Sequence, residues 1–183
     1  MHNFVYTAQP SRVIFGARSL QYLEREIELL SSRRALILCT PDQLEQGKAI
    51  ADRLGNKSAG VFARAVMHVP IETAREARDE AHRLGADCAV AIGGGSTTGL
   101  AKAIALLRDE GGPFPILAIP TTYAGSEMTP IYGVTEAGVK KTGRNFRVLP
   151  QTVIYDPELT LSLPARMSVT SGINAIAHAA EGL

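Results

Sequence analysis

The sequence predicts an α/β fold of Rossmann-like type, built on a mostly parallel sheet. Three observations carry that expectation. Residues 35–39 (Ala-Leu-Ile-Leu-Cys) and 88–92 (Cys-Ala-Val-Ala-Ile) are uninterrupted apolar runs of strand length, as suits strands covered on both faces. Stretches with helical periodicity alternate with these runs and with a third at 115–120, the order that right-handed βαβ crossovers require. The second run ends in Gly93-Gly94-Gly95-Ser96, placing a glycine turn between a buried strand and a helix.

The elements follow in order. Phe4-Val5-Tyr6 and Arg12-Val13-Ile14-Phe15 are β-prone pieces around the turn-forming Gln9-Pro10-Ser11, and they predict a hairpin closed by Gly16. Leu20, Leu23, Ile27 and Leu30 share one helical face. After the strand at 35–39, Thr40 is the expected N-cap, Pro41 sits in the first turn and Gln43 reaches back. Leu44, Ile50, Ala51 and Leu54 turn that helix inward and Gly55 ends it. Residues 60–69 hold a weak strand candidate. Pro70 opens a helix with Ile71, Ala74, Ala77, Ala81 and Leu84 inward, which Gly85 stops. A helix over roughly 97–108 follows the glycine turn. Beyond Pro120 the texture changes, with turn signals at Gly125, Gly133 and Gly138 and β-prone runs at 131–135 and 148–155. From Pro164 small and apolar residues recur at helical spacing up to Leu183. That helix has no stop signal, so a fragment of a longer chain is the favoured expectation.

Composition narrows the function. The chain has 183 residues, 45% hydrophobic and 20% charged, near the globular average. A formal charge of +1 leaves no electrostatic footprint for nucleic acid or an anionic membrane surface. No apolar run approaches the ~20 residues that span a bilayer. The first residues lack the layout of an export signal, and Cys39 and Cys88 lie far apart in apolar runs, as buried small hydrophobes do. The expected location is the cytoplasm.

The glycine turn is the most informative local feature. Without Cβ atoms, the amides of Gly93, Gly94 and Gly95 can approach an anion closely, and the helix that follows adds its positive end. The alternative is a tight turn with glycine for packing. The spacing, Gly93-x-Gly95-x-x-x-Gly99, is neither the usual dinucleotide fingerprint nor a P-loop. At the end of the strand 35–39, where a carboxylate could hold a ribose hydroxyl, the chain has Thr40. A threonine does not repel the 2′-phosphate of NADP, so weak discrimination between NAD and NADP is expected. Thr121, Thr122, Tyr123 and Ser126 form a hydroxyl-rich stretch after the third strand, suited either to ligand contacts or to capping local turns. Asn174 and His178 share a helical face, but a neutral amide is a poor transition-metal ligand. Lys140, Lys141, Arg144 and Arg147 cluster, as a solvated face or as a site for carboxylates.

Taken together, residues 91–102, 120–130, 147–150 and 171–181 (Ser-Gly-Ile-Asn-Ala-Ile-Ala-His-Ala-Ala-Glu) resemble the iron-containing alcohol dehydrogenase superfamily and, within it, the maleylacetate reductases. The resemblance covers essentially the whole chain. It implies a dehydroquinate synthase-like fold, with residues 1–158 as the nucleotide-binding domain and 159–183 as the beginning of a helical one. It implies reduction of maleylacetate to 3-oxoadipate with NADH or NADPH by a cytoplasmic homodimer acting on a dicarboxylate. Asn174 falls where metal-dependent members carry Asp, and Thr98-Gly99 occupies the region of another Asp, so no metal is expected. Cofactor contacts are expected from Thr40, Gly93, Gly94, Gly95, Ser96, Thr97, Lys102, Thr121, Thr122, Tyr123 and Ser126, Lys102 facing either cofactor or solvent. Substrate contacts are expected from Tyr123, Arg144 and Arg147, with His178 and Asn174 at the catalytic centre. Rival readings are a metal-dependent alcohol or polyol dehydrogenase of the same superfamily and a non-catalytic nucleotide-binding fragment.

Overall fold

A computed structural model describes residues 11–108 and 112–181. Its strands are β1 (Arg12–Phe15), β2 (Ala35–Leu38), β3 (Ser58–Phe62), β4 (Cys88–Gly93), β5 (Ile116–Pro120), β6 (Ile131–Glu136), β7 (Val139–Arg144) and β8 (Thr152–Tyr155). Its α-helices are α1 (Leu23–Leu29), α2 (Leu44–Leu54), α3 (Ile71–Arg83), α4 (Gly95–Leu107) and α5 (Ala165–Glu181).

Six strands make one parallel sheet in the order β1-β8-β5-β4-β2-β3. Every residue of β2, β4 and β5 is buried, as their unbroken apolar sequence requires for strands with helices on both faces. Side chains alternate between two cores. Leu36, Leu38, Ala89, Ala91 and Ile116 pack with Ala74 and Ala77 of α3 and Leu100 and Ile104 of α4. Ala35, Ile37, Val90, Ile92 and Leu117 pack with Leu23 and Ile27 of α1 and Ile50 and Leu54 of α2. The chain leaves β2 for β3 on one side, then returns as β4 on the other. The sheet therefore reverses direction between β2 and β4, and a crevice opens beyond their carboxyl ends. Thr40 and the glycine turn sit at that place.

Several expectations change. The Phe4-Val5-Tyr6 half of the hairpin lies outside the described residues, as does Leu183. The other half, β1, pairs in parallel with β8, Arg12 opposite Thr152. Strand β3 begins at Ser58, before the expected stretch. Leu20 lies in a 3-10 turn ahead of α1. The β-prone run at 148–155 is a strand only from Thr152. Before it a 3-10 turn, Phe146–Val148, is capped by Asn145, whose Oδ1 accepts from the Arg147 amide at 2.9 Å. The basic stretch at 140–144 is a strand, β7, paired antiparallel with β6. Ala137 and Gly138, both at positive φ (49° and 77°), join the two strands, the backbone of a type I′ hairpin turn. Cys39 and Cys88 are buried and unpaired with each other, and burial pushes the Cys88 thiol up to about 12. Among the described residues no helix is long and apolar enough to cross a membrane.

Candidate functional site

A cleft of about 1560 Å³ opens over the carboxyl ends of β2 and β4. Its floor is the glycine turn. Gly94 is the N-cap of α4 and the helix starts at Gly95, two residues earlier than the spacing suggests, because the turn itself supplies the first helical amides. A Cβ at Gly95 would meet nothing within 4 Å, so its backbone faces open space at the positive end of a thirteen-residue helix. Gly93 has a different task. It takes φ 141°, and a Cβ there would lie 2.6 Å from Gln43 Oε1 and 2.7 Å from Thr97 Oγ1. Its carbonyl accepts the Thr121 amide at 2.9 Å, tying the loop after β5 to the glycine turn.

Of the expected residues, Thr40, Gly94, Gly95, Ser96, Lys102, Thr121, Thr122, Ser126 and His178 border the cleft. Thr97 does not; it is buried and its hydroxyl donates to Gly94 O at 2.8 Å, so it builds the turn from within. Tyr123 lines a separate cavity of about 420 Å³ with Phe15, Glu127 and Tyr155. Hydrogen bonds with Thr160 and Ser168 hold its phenol below the ordinary tyrosine range. Arg144 and Arg147 are outside the cleft lining. The first stacks over Phe146, and the second donates to Arg108 O at 2.7 Å. Asn174 is exposed on α5 and is not among the cleft residues. His178 is exposed too, with Nδ1 3.5 Å from Glu181 Oε2.

Lys102 borders the cleft but turns its ammonium into the protein, away from solvent. Only 1% exposed, its ammonium donates to the carbonyls of Ser126 (2.7 Å), Thr129 (2.8 Å) and Ile131 (2.7 Å). Burial pulls it from the usual 10.5 to about 8, opposed by the Glu127 carboxylate.

The sequence passed over other cleft residues. Gln43 does not reach back to a backbone amide. Its Oε1 accepts from the Thr40 hydroxyl at 3.1 Å and its Nε2 donates to Thr121 Oγ1 at 3.2 Å, bridging the loops after β2 and β5. Lys140 on β7 borders the cleft, the one member of the basic cluster to do so. Residues 65–69 form another wall, in which His68 (φ 67°) and Val69 (φ 45°) are both left-handed. Thr135 of β6 holds them, its amide on Val69 O at 3.0 Å and its hydroxyl on His68 O at 2.8 Å.

Residues 10–157 match the family described as iron-containing alcohol dehydrogenase. The chain belongs to that family. It is 68% identical over 183 residues to a maleylacetate reductase of Burkholderia cepacia, all of this chain against 51% of that protein. The crystal structure of maleylacetate reductase from Agrobacterium tumefaciens superposes with a TM-score of 0.94 at 54% identity, covering 99% of this chain and 51% of that one. Sulfoacetaldehyde reductase from Bifidobacterium kashiwanohense, solved in complex with NAD+, shares the fold at 23% identity, with a TM-score of 0.85 over 94% of this chain and 51% of that one. The chain thus spans about half the length of the relatives it matches.

Proposed function

We propose that this chain is the nucleotide-binding part of an NAD(P)H-dependent maleylacetate reductase, which reduces the carbon–carbon double bond of maleylacetate to give 3-oxoadipate. The observation that carries this reading is a glycine turn whose Gly95 backbone opens into a switch-point cleft, in a chain 68% identical to a protein of that name. The reading extends to a cytoplasmic homodimer, with residues 1–158 as the nucleotide-binding unit and 159–183 opening a helical domain.

The residues present fit a nicotinamide dinucleotide. The amides of Gly94, Gly95 and Ser96 would hold its diphosphate, and Thr40 and Gln43 would meet the ribose at the end of β2. Thr121, Thr122 and Ser126 wall the nicotinamide side, and Lys140 offers a cation to an anionic group of cofactor or substrate. When bound, the cofactor supplies a hydride to the alkene carbon remote from the ketone. Negative charge then develops on the ketone oxygen, whose stabilisation is the largest demand on the site. His178 is the donor of this chain for that oxygen. Its Nδ1 lies 3.5 Å from Glu181 Oε2, and in the imidazolium form Nε2–H is free to donate to that oxygen; a proton at the carbon beside the ketone completes the reduction.

The donor set on α5 does not fit a transition metal. Asn174 gives a neutral amide one turn before His178 on α5, a poor donor for a transition metal. No step is routed through a metal. The test is NADH oxidation by the full-length protein with maleylacetate, with and without chelator and added iron. Turnover unaffected by either is expected. A rate that climbs with iron overturns metal independence, and no oxidation overturns the activity.

A further inference from the structure

We propose that Lys102 is a positioning residue for the coenzyme: its buried ammonium gathers three backbone carbonyls and so fixes the loop that walls the nicotinamide side of the cleft. The inference rests on the coenzyme reading above and adds a residue that touches no reacting atom.

Lys102 lies two turns into α4, the helix whose first amides form the glycine turn. The Ser126, Thr129 and Ile131 carbonyls run from the 3-10 turn Ser126–Met128 through its C-cap Thr129 to the start of β6. An ammonium has three hydrogens, and here each has a carbonyl within 2.8 Å. The loop from Thr121 to Gly125 therefore has two fixed ends. At one, the Thr121 amide is held on Gly93 O. At the other, Gly125 takes a left-handed φ of 78° and leads into the turn that Lys102 holds. Between them Thr122 packs on the glycine turn, where a Cβ at Gly94 would come within 2.9 Å of Thr122 Cγ2. Glycine turn and hydroxyl loop are thus referenced to the same helix. Among the described residues no carboxylate pairs directly with the ammonium; Glu127 acts on it through space and is itself engaged by the Tyr155 hydroxyl at 2.8 Å. A lysine used only to neutralise charge would not be buried against carbonyls at the desolvation cost this position carries.

The test uses the full-length protein. In Lys102→Met, KM for NADH should rise about tenfold while kcat falls much less, because orientation of the bound coenzyme is loosened and no reacting group is lost. Unchanged KM in a folded variant overturns the proposal, as does a loss of kcat alone. If Lys102→Met does not fold, the unsubstituted protein still decides. A neutral amine has too few hydrogens for three carbonyls, so the NADH dissociation constant should rise severalfold as pH passes about 8. Glu127 acts on the ammonium and carries the Tyr155 hydroxyl, while Asp42, His68, Lys140 and His178 line the cleft and Tyr123 the neighbouring cavity. The dependence must therefore persist in Tyr123→Phe and Lys140→Met; a flat curve overturns the role of Lys102. Absence of NADH binding by the unsubstituted protein at pH 7 marks failure of the coenzyme reading itself.

Discussion

Gly95 and Gly93 stand two residues apart on one turn, yet a methyl group would affect them in opposite ways. At Gly95 a Cβ meets nothing, and alanine in a helix is more favourable than glycine by up to about 1 kcal/mol. Gly95→Ala should leave unfolding unchanged or slightly raised while intruding on the diphosphate, so KM for NADH should rise about tenfold. At Gly93 the same change forces a strained φ and a contact of 2.6 Å with Gln43 Oε1, which should cost about 2 kcal/mol. Urea unfolding and NADH titration of the two variants check both statements; equal effects on stability would count against the division of labour. This difference was not legible in the sequence, where the glycines look alike. Nor could the hydroxyls be sorted, because the inward turn of Thr97 within α4 and the turn of Tyr123 to the neighbouring cavity are set by packing and not by local sequence. Lys140 was hidden among four basic residues until strand pairing placed it on the cleft and sent Arg144 and Arg147 elsewhere.

The elements divide by what surrounds them. β2, β4 and β5 were readable because helices cover both faces and their sequence is apolar throughout. α3 was readable because Ile71, Ala74, Ala77 and Ala81 all turn to one core. β7 was not, because Val-Lys-Lys-Thr-Gly-Arg belongs to an exposed two-stranded ribbon with no apolar alternation to reveal it. Its turn is imperfect for its geometry, with alanine at φ 49° where asparagine or glycine is preferred. Ala137→Asn should therefore stabilise the chain by about 0.5 kcal/mol, seen as a higher thermal midpoint; a lower one would refute the turn assignment.

At the scale of the molecule, the sheet reversal between β2 and β4 decides where a ligand can lie. With Thr40 at the end of β2, KM values for NADH and NADPH should fall within about tenfold of each other in the full-length protein; a separation of several orders of magnitude would contradict it. Lys102 makes stability depend on pH. The folded chain releases this proton near pH 8, the unfolded chain near 10.5. Below 8 both states hold the proton and the group adds no slope. Between the two values unfolding takes up a proton, so stability rises with pH. Urea unfolding at pH 7.5 and 9.5 should show that rise in the unsubstituted protein and not in Lys102→Met. Coenzyme affinity is expected to move the other way over the same window, since a folded chain with a neutral amine keeps its core and loses its grip on the loop.

The paired left-handed residues His68 and Val69 have a consequence of their own. A β-branched residue at φ 45° rests uphill of its preferred backbone by about 1–3 kcal/mol, and what keeps it there is the amide and hydroxyl of Thr135, sixty-six residues further along the chain. That rim of the cleft behaves as a sprung latch: its contour is dictated by a hairpin that is itself mostly wetted by water, and whatever disturbs the hairpin is felt at the rim.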